Sequence, residues 1–144
     1  MFLQDVTSGG AFPMLQKTIA FAEARNRVLA ENIANVTTPG YRAKQLNVDS
    51  FQAALAEASA NRKGHGGRFE LSETNEVKLD KNGHLRVQPS YVPTQNQLFH
   101  DGTNASIERQ MADLAENTMT HQAATELLKG YFDGVSKAIR GRIQ

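Results

Sequence analysis

The chain has 144 residues, a formal net charge of +1 and no cysteine. Disulfides and thiolate metal sites are thereby excluded, and the near-neutral charge lacks the concentrated basic surface that nucleic-acid or membrane electrostatics need. Apolar residues are 40% and aromatic residues 7%, with tryptophan absent, a composition too lean for a typical compact enzyme and better suited to paired amphipathic helices.

This length predicts a single structural unit spanning 1–144. The opening "MFLQDVTSGG" has neither a basic n-region nor an apolar h-region, so no cleavable signal peptide is expected. No run approaches the ~20 apolar residues of a membrane-spanning helix, and no membrane insertion is expected.

In chain order, the first predicted element is a helix over 13–36. Pro13 suits the first helical position and holds Phe12 extended. Leu15, Ile19, Ala22, Asn26, Leu29, Ile33 and Val36 follow at alternating spacings of four and three, a heptad seam with one polar member. An elbow, loops and a hairpin are expected over 37–102. Pro39-Gly40 suits the centre of a type II turn, with Gly40 supplying the positive φ, and Thr38, preceding proline, is held out of the helix. A short helix is expected over 51–60, then a flexible basic loop, "NRKGHGGR". "EVKLDKNGHLRV" alternates apolar and polar residues around Asn82-Gly83, a hairpin signal. Pro89 and Pro93 then begin an extended connection.

A second long helix is predicted over 106–140, with Ser106 as its N-cap. Ile107, Met111, Leu114, Thr118, His121, Thr125, Leu128, Phe132, Val135 and Ile139 keep a four-three rhythm. The fold class expected is mainly α. Its long N- and C-terminal helices pair as an antiparallel coiled coil, with a small irregular and β-hairpin middle segment carried at one end. Bringing Val36 near the start of the second helix sets Asn26 beside His121 and Thr125, a polar layer that would fix register.

Candidate chemistry is sparse. His65, His84, His100 and His121 are scattered, and none has the spacing of a metal site. The sequence holds no nucleophile elbow, phosphate loop or dinucleotide fingerprint. Catalytic residues, metal and cofactors are therefore expected to be absent. Arg62, Lys63, His65 and Arg68 form a basic cluster read as a solvated loop, with nucleic-acid contact the lesser alternative.

The stretch "LAENIANVTTPGYRAK", from Leu29 to Lys44, is more specific. A helix end and a turn account for Pro39 and Gly40 but not for Asn32, Asn35 and Tyr41. Asn32-Ile33-Ala34-Asn35 followed by Thr38-Pro39-Gly40-Tyr41 resembles the signature of the flagellar rod and hook axial proteins, and Arg25 and Leu29 are in keeping with it. Longer members of that family carry a large inserted domain, for which this chain has no room. Glu108, Met111, Leu114 and Asn117 resemble the C-terminal helix of a short proximal-rod member, with FlgC, another short rod protein, the nearest rival.

The resemblance implies a structural subunit of the bacterial flagellar basal-body rod, without catalytic activity. It implies export through the flagellar type III apparatus, a periplasmic location, and assembly with FliE, FlgC, FlgF and copies of itself. The assembly-interface residues it suggests are Asn32, Ile33, Asn35, Thr38, Pro39, Gly40, Tyr41, Met111, Leu114 and Asn117. Residues flanking the two seams, namely Phe21, Val28, Ala115, Leu127 and Tyr131, are expected to contact adjacent subunits. The alternative outside the flagellum is a helical adaptor that binds one partner.

Overall fold

The computed structural model describes residues 11–65, 69–93 and 103–141. Helix α1 spans Phe12–Ala34, with Pro13 in its first turn and no side-chain cap at Ala11. It stops two residues short of the expected end. Asn35 closes it, donating its backbone N–H to the Glu31 carbonyl at 3.1 Å and its side-chain amide to the same oxygen at 2.8 Å. The long C-terminal helix, α3, spans Thr103–Ile139. Ser106 lies inside it and is not its N-cap. At ~1.5 Å per residue, α1 is about 35 Å long and α3 about 55 Å.

The fold is mainly helical, and α1 and α3 pair antiparallel. Phe12 packs edge-on against Phe132 at 5.5 Å between ring centroids. Further along, Glu23 faces His121 at 3.7 Å, Asn117 donates to Asn26 at 3.3 Å, and Asn32 donates to Gln110 at 3.3 Å. Numbers rise along one helix as they fall along the other. On α1, the expected seam residues Leu15, Ile19, Ala22, Asn26, Leu29 and Ile33 are all buried or part-buried.

On α3 the seam differs from expectation. The buried and part-buried positions are Ile107, Gln110, Asp113, Leu114, Asn117, Thr118, His121, Ala124, Leu128, Tyr131 and Val135, and all of these but Asp113 and Thr118 keep a three-four rhythm. Four of the ten expected members are therefore displaced by the residue just before them: Met111, Thr125 and Phe132 are left exposed, and Thr118 is part-buried beside the more deeply buried Asn117, while Ile139 is exposed with no replacement. Hydrogen bonding explains the rotation. The hydroxyls of Thr118 and Thr125 donate to the carbonyls four residues back, at 2.7 and 2.8 Å, so nothing draws them across the seam. The Asn117 amide needs a partner when buried, and donates to the Ala22 carbonyl at 2.8 Å. The expected polar layer thus exists with a different member: Asn26 meets Asn117, one turn away from His121 and two from Thr125.

The middle segment lies along the side of α1, not at one end. After the elbow, strand β1 (Lys44–Gln45) leads into helix α2 (Val48–His65). Asn47 caps α2, its side-chain oxygen accepting the Ser50 N–H at 2.9 Å. The helix is longer than expected, because Arg62 to His65 continue it in place of the predicted loop. Residues 66–68 lie outside the described residues, so the basic cluster's last member, Arg68, is not placed.

Strands β2 (Val77–Leu79) and β3 (Leu85–Val87) form the expected hairpin, with Val77 opposite Val87 and Leu79 opposite Leu85. Only Gly83 of its turn has positive φ, at 76°. A type I′ turn, which needs two such residues, is therefore excluded, and Asp80 instead pairs its N–H with the His84 carbonyl at 2.9 Å around a three-residue loop. Asp80 Oδ1 also accepts the N–H groups of Asn82 and His84, both at 2.8 Å, and these bonds lower its pKa. Strand β4 (Ser90–Tyr91) then returns to pair antiparallel with β1.

These pieces share one apolar cluster with the back of α1. Phe21 and Val28 pack with Leu46, Phe51, Ala54, Leu71 and Val77. The rings of Phe21 and Phe51 stack at 4.0 Å between centroids, 2° from parallel. The Lys17 ammonium reaches the Gly83 carbonyl at the hairpin tip, and burial lowers its pKa despite the nearby Asp80 carboxylate. Phe21 and Val28, expected to meet adjacent subunits, are thus filled by the chain's own middle segment. The reason is the α1 pattern, which carries a second apolar row at Phe21, Ala24 and Val28 beside the seam.

Candidate functional site

The elbow joins the end of α1 to β1 through two successive turns. Thr38 donates its N–H to the Asn35 carbonyl at 2.9 Å, and Tyr41 donates its N–H to the Thr38 carbonyl at 3.2 Å. The second turn has Pro39 and Gly40 at its centre, and Gly40 has φ of 77°, the positive value expected for a type II turn. The Thr38 hydroxyl also donates to Asn35 Oδ1 at 3.3 Å. Asn35 and Thr38 are therefore one local unit, closing the helix and opening the turn.

Asn32 holds the elbow from the other side. It is buried, at 4% exposure. Its Nδ2 donates to the Lys44 carbonyl at 2.7 Å and to Gln110 Oε1 at 3.3 Å. Its Oδ1 accepts the Lys44 N–H and the Tyr41 hydroxyl, each at 3.0 Å. An amide side chain has two donors and two acceptor positions, so all four are used within the chain. Beside this cluster the Lys44 ammonium pairs with Glu31 at 2.7 Å, and that hydrogen bond raises the Lys44 pKa. Burial, with the Glu31 charge adding to it, raises the Tyr41 pKa. Arg42 lies over the Tyr91 ring at 4.6 Å from its centroid.

Of the expected interface residues, the structure joins Asn32 to Tyr41 and Asn35 to Thr38. Thr38, Pro39 and Gly40 are exposed at the elbow tip, while Ile33 and Leu114 are part-buried. Asn117, at 3% exposure, sits in the helix seam away from the elbow. Arg25 approaches Asp113 at 4.0 Å. Glu31, Lys44 and Gln110 complete the cluster and were not expected, since each is an ordinary polar residue whose partner lies across a chain reversal.

The outer face of α3 carries a second feature. Ile107, Met111, Ala115, Met119, Ala123, Leu127, Tyr131, Val135 and Ile139 stand four residues apart at every step, and all are apolar. Such a row drifts about 40° per step around a helix of 3.6 residues per turn, so it leaves the α1 seam after Ile107 and returns to it at Tyr131. In between, Met111, Ala115, Met119, Ala123 and Leu127 are all exposed, Met119 and Leu127 at 62% and 63%. Isolated exposed apolar side chains are ordinary, whereas this row runs on along about four turns of α3.

Among the described residues, no group of three or more histidine, aspartate or glutamate side chains could hold a metal ion. No described helix is long and apolar enough to cross a membrane. No protein-family model and no solved structure matches the chain. Curated relatives do match along most of its length. A Borrelia hermsii protein is 30% identical over 120 residues, 81% of this chain and 85% of its own, and is named flagellar basal body rod protein FlgB. The chain belongs to the FlgB family. A second FlgB, from Cereibacter sphaeroides (strain ATCC 17029 / ATH 2.4.9), is 30% identical over 126 residues, covering 87% of this chain and 90% of its own. The Bacillus subtilis (strain 168) FlgB is 26% identical over 132 residues, 92% of this chain and 95% of its own. Membership makes the chain a flagellar basal-body rod protein. At 81–92% of the chain, these alignments take in the middle segment as well as the terminal helices.

Proposed function

We propose that the chain is a non-catalytic subunit of the proximal rod, assembling through its terminal helices with FliE, FlgC, FlgF and copies of itself. On this reading it reaches the periplasm through the flagellar export apparatus. The observation that carries the assembly reading is the exposed row from Met111 to Leu127 on α3. Its four-residue spacing suits a partner helix crossing at about −50°, ridge into groove, in preference to a further coiled-coil strand. Thr38, Pro39, Gly40 and Met111 are the interface residues available at the surface. Asn32, Ile33, Asn35, Tyr41, Leu114 and Asn117 contribute by fixing the shape that neighbours meet.

Deleting the gene in its source strain should abolish motility and the rod, and supplying the chain in trans should restore both. The double substitution Met119→Glu with Leu127→Glu should leave helical circular dichroism intact while preventing rod incorporation. Motility with an assembled rod in the deletion strain would overturn the function. Normal incorporation of the double variant would remove the α3 row as the contact surface.

A further inference from the structure

We infer that Asn32 is a latch that couples the folding of the elbow to the docking of the first turns of α3. Three of its four hydrogen bonds go to the elbow: the Lys44 carbonyl at 2.7 Å, and the Lys44 N–H and Tyr41 hydroxyl at 3.0 Å each. The fourth goes to Gln110 of α3, at 3.3 Å. Lys44 pairs with Tyr91 of β4 on one side. On its other side, the Asn32 amide stands where a further strand's peptide group would, offering a donor and an acceptor to the same residue.

An amide group is planar, so its two donors and two acceptor positions move together. Rotating Asn32 to recover a lost partner at one corner breaks bonds at the others. With α3 docked, Asn32 is 4% exposed and Gln110 is its fourth partner. When α3 undocks, an Asn32 N–H loses its acceptor, and the amide is freed to turn away from Lys44 and Tyr41. The coupling is reciprocal: loosening the elbow weakens the hold on Gln110. This inference stands apart from the assembly reading, since both ends of the latch belong to one chain.

Amide hydrogen exchange on the full chain, followed residue by residue by NMR, tests it. Gln110→Ala should speed exchange of the Lys44 N–H about fivefold, the equivalent of one net hydrogen bond. The Asp80 and Gln88 amides, bonded within the hairpin to the His84 and Glu76 carbonyls, should keep their rates. Gln110→Glu keeps an acceptor oxygen and should restore Lys44 protection. In the reverse direction, Tyr41→Phe should speed exchange of the Leu114 amide, which closes onto the Gln110 carbonyl one turn back in α3. An unchanged Lys44 rate in Gln110→Ala, or a rise shared by the hairpin amides, overturns the latch. Failure of Gln110→Glu to restore protection, or an unchanged Leu114 rate in Tyr41→Phe, overturns it as well.

Discussion

Helices α1 and α3 share one seam, yet among the described residues only α1 is covered on its other side. Phe21 and Val28 on the back of α1 are buried against Phe51, Leu46 and Val77, whereas Met111, Met119 and Leu127 on the back of α3 are more than half exposed. Both helices carry two apolar rows, so amphipathic patterning alone does not separate them. What differs is the segment that follows: the middle segment comes directly after α1 and is turned onto it by the elbow. The internal axis of the described subunit is therefore α1, and α3 is the helix that the described residues leave uncovered.

Core truncation puts the largest strain on this comparison. Phe21→Ala removes one of two stacked rings and should destabilise the isolated chain by about 3–5 kcal/mol. Leu127→Ala, on the outer face of α3, should change stability by no more than ~0.5 kcal/mol. Urea unfolding of both variants measures the contrast. A similar cost for the two would mean that α3 is covered in the isolated chain after all.

Polar truncation comes next. Asn32→Ala strands the Lys44 N–H and carbonyl together with the Tyr41 hydroxyl, and should cost about 2–3 kcal/mol. Asn117→Ala should cost less, about 1 kcal/mol, because the Ala22 carbonyl that it bonds keeps its helical partner. The Asn32 cluster also has an alkaline limit. The Tyr41 pKa is raised in the folded chain, chiefly by burial. Its stabilisation is therefore whole below the ordinary phenol value and is lost as pH rises through the elevated one. Stability measured against pH should fall more steeply on the alkaline side in the native chain than in Tyr41→Phe.

Backbone strain at the elbow is a smaller effect with a larger consequence in assembly. A Cβ at Gly40 would meet nothing within 4 Å, and its φ is 77°, so a substitution there is strained by conformation and not by crowding. Gly40→Val should cost about 1–2 kcal/mol, with Gly40→Asn below it because asparagine tolerates the left-handed region. In cells, Gly40→Val should impair incorporation into the rod more than it impairs export. Normal motility in that variant would mean that the elbow's shape is not used by neighbours.

How far the sequence revealed this arrangement follows the range of each interaction. The helices, the hairpin, the turn at Pro39-Gly40 and the heptad seam of α1 rest on contacts within a few residues, and were legible. The α3 seam was half legible: a four-three reading that starts at Ile107 and one that takes Gln110 both return to Leu114, and apolarity favoured Met111 over Gln110. The buried amide of Asn117 decided the matter, through a carbonyl 95 residues away in the chain. Asn32 was singled out for contacts between subunits, whereas the bonds it makes here are to Tyr41, Lys44 and Gln110 of its own chain, and Lys44 and Gln110 lie across the elbow and across the helix pair. No local pattern announces them. The pairing of β1 with β4 was missed for the same reason, since two-residue strands leave almost no periodicity to read.

Gly130 and Gly134 offer the finest test of the contrast between the helices. Glycine within a helix costs about 1 kcal/mol relative to alanine, and a Cβ at either position would meet nothing within 4 Å. Tight packing among the described residues therefore gives no reason for them. Gly130→Ala and Gly134→Ala should each stabilise the isolated chain by about 0.5–1 kcal/mol, a rise that thermal unfolding can resolve. If the stabilised variants also enter the rod normally, the two glycines serve neither the subunit nor its contacts. If they fold better yet assemble poorly, the space beside the last turns of α3 is occupied by a neighbour, and the uncovered face of α3 extends past Leu127 to the end of the helix.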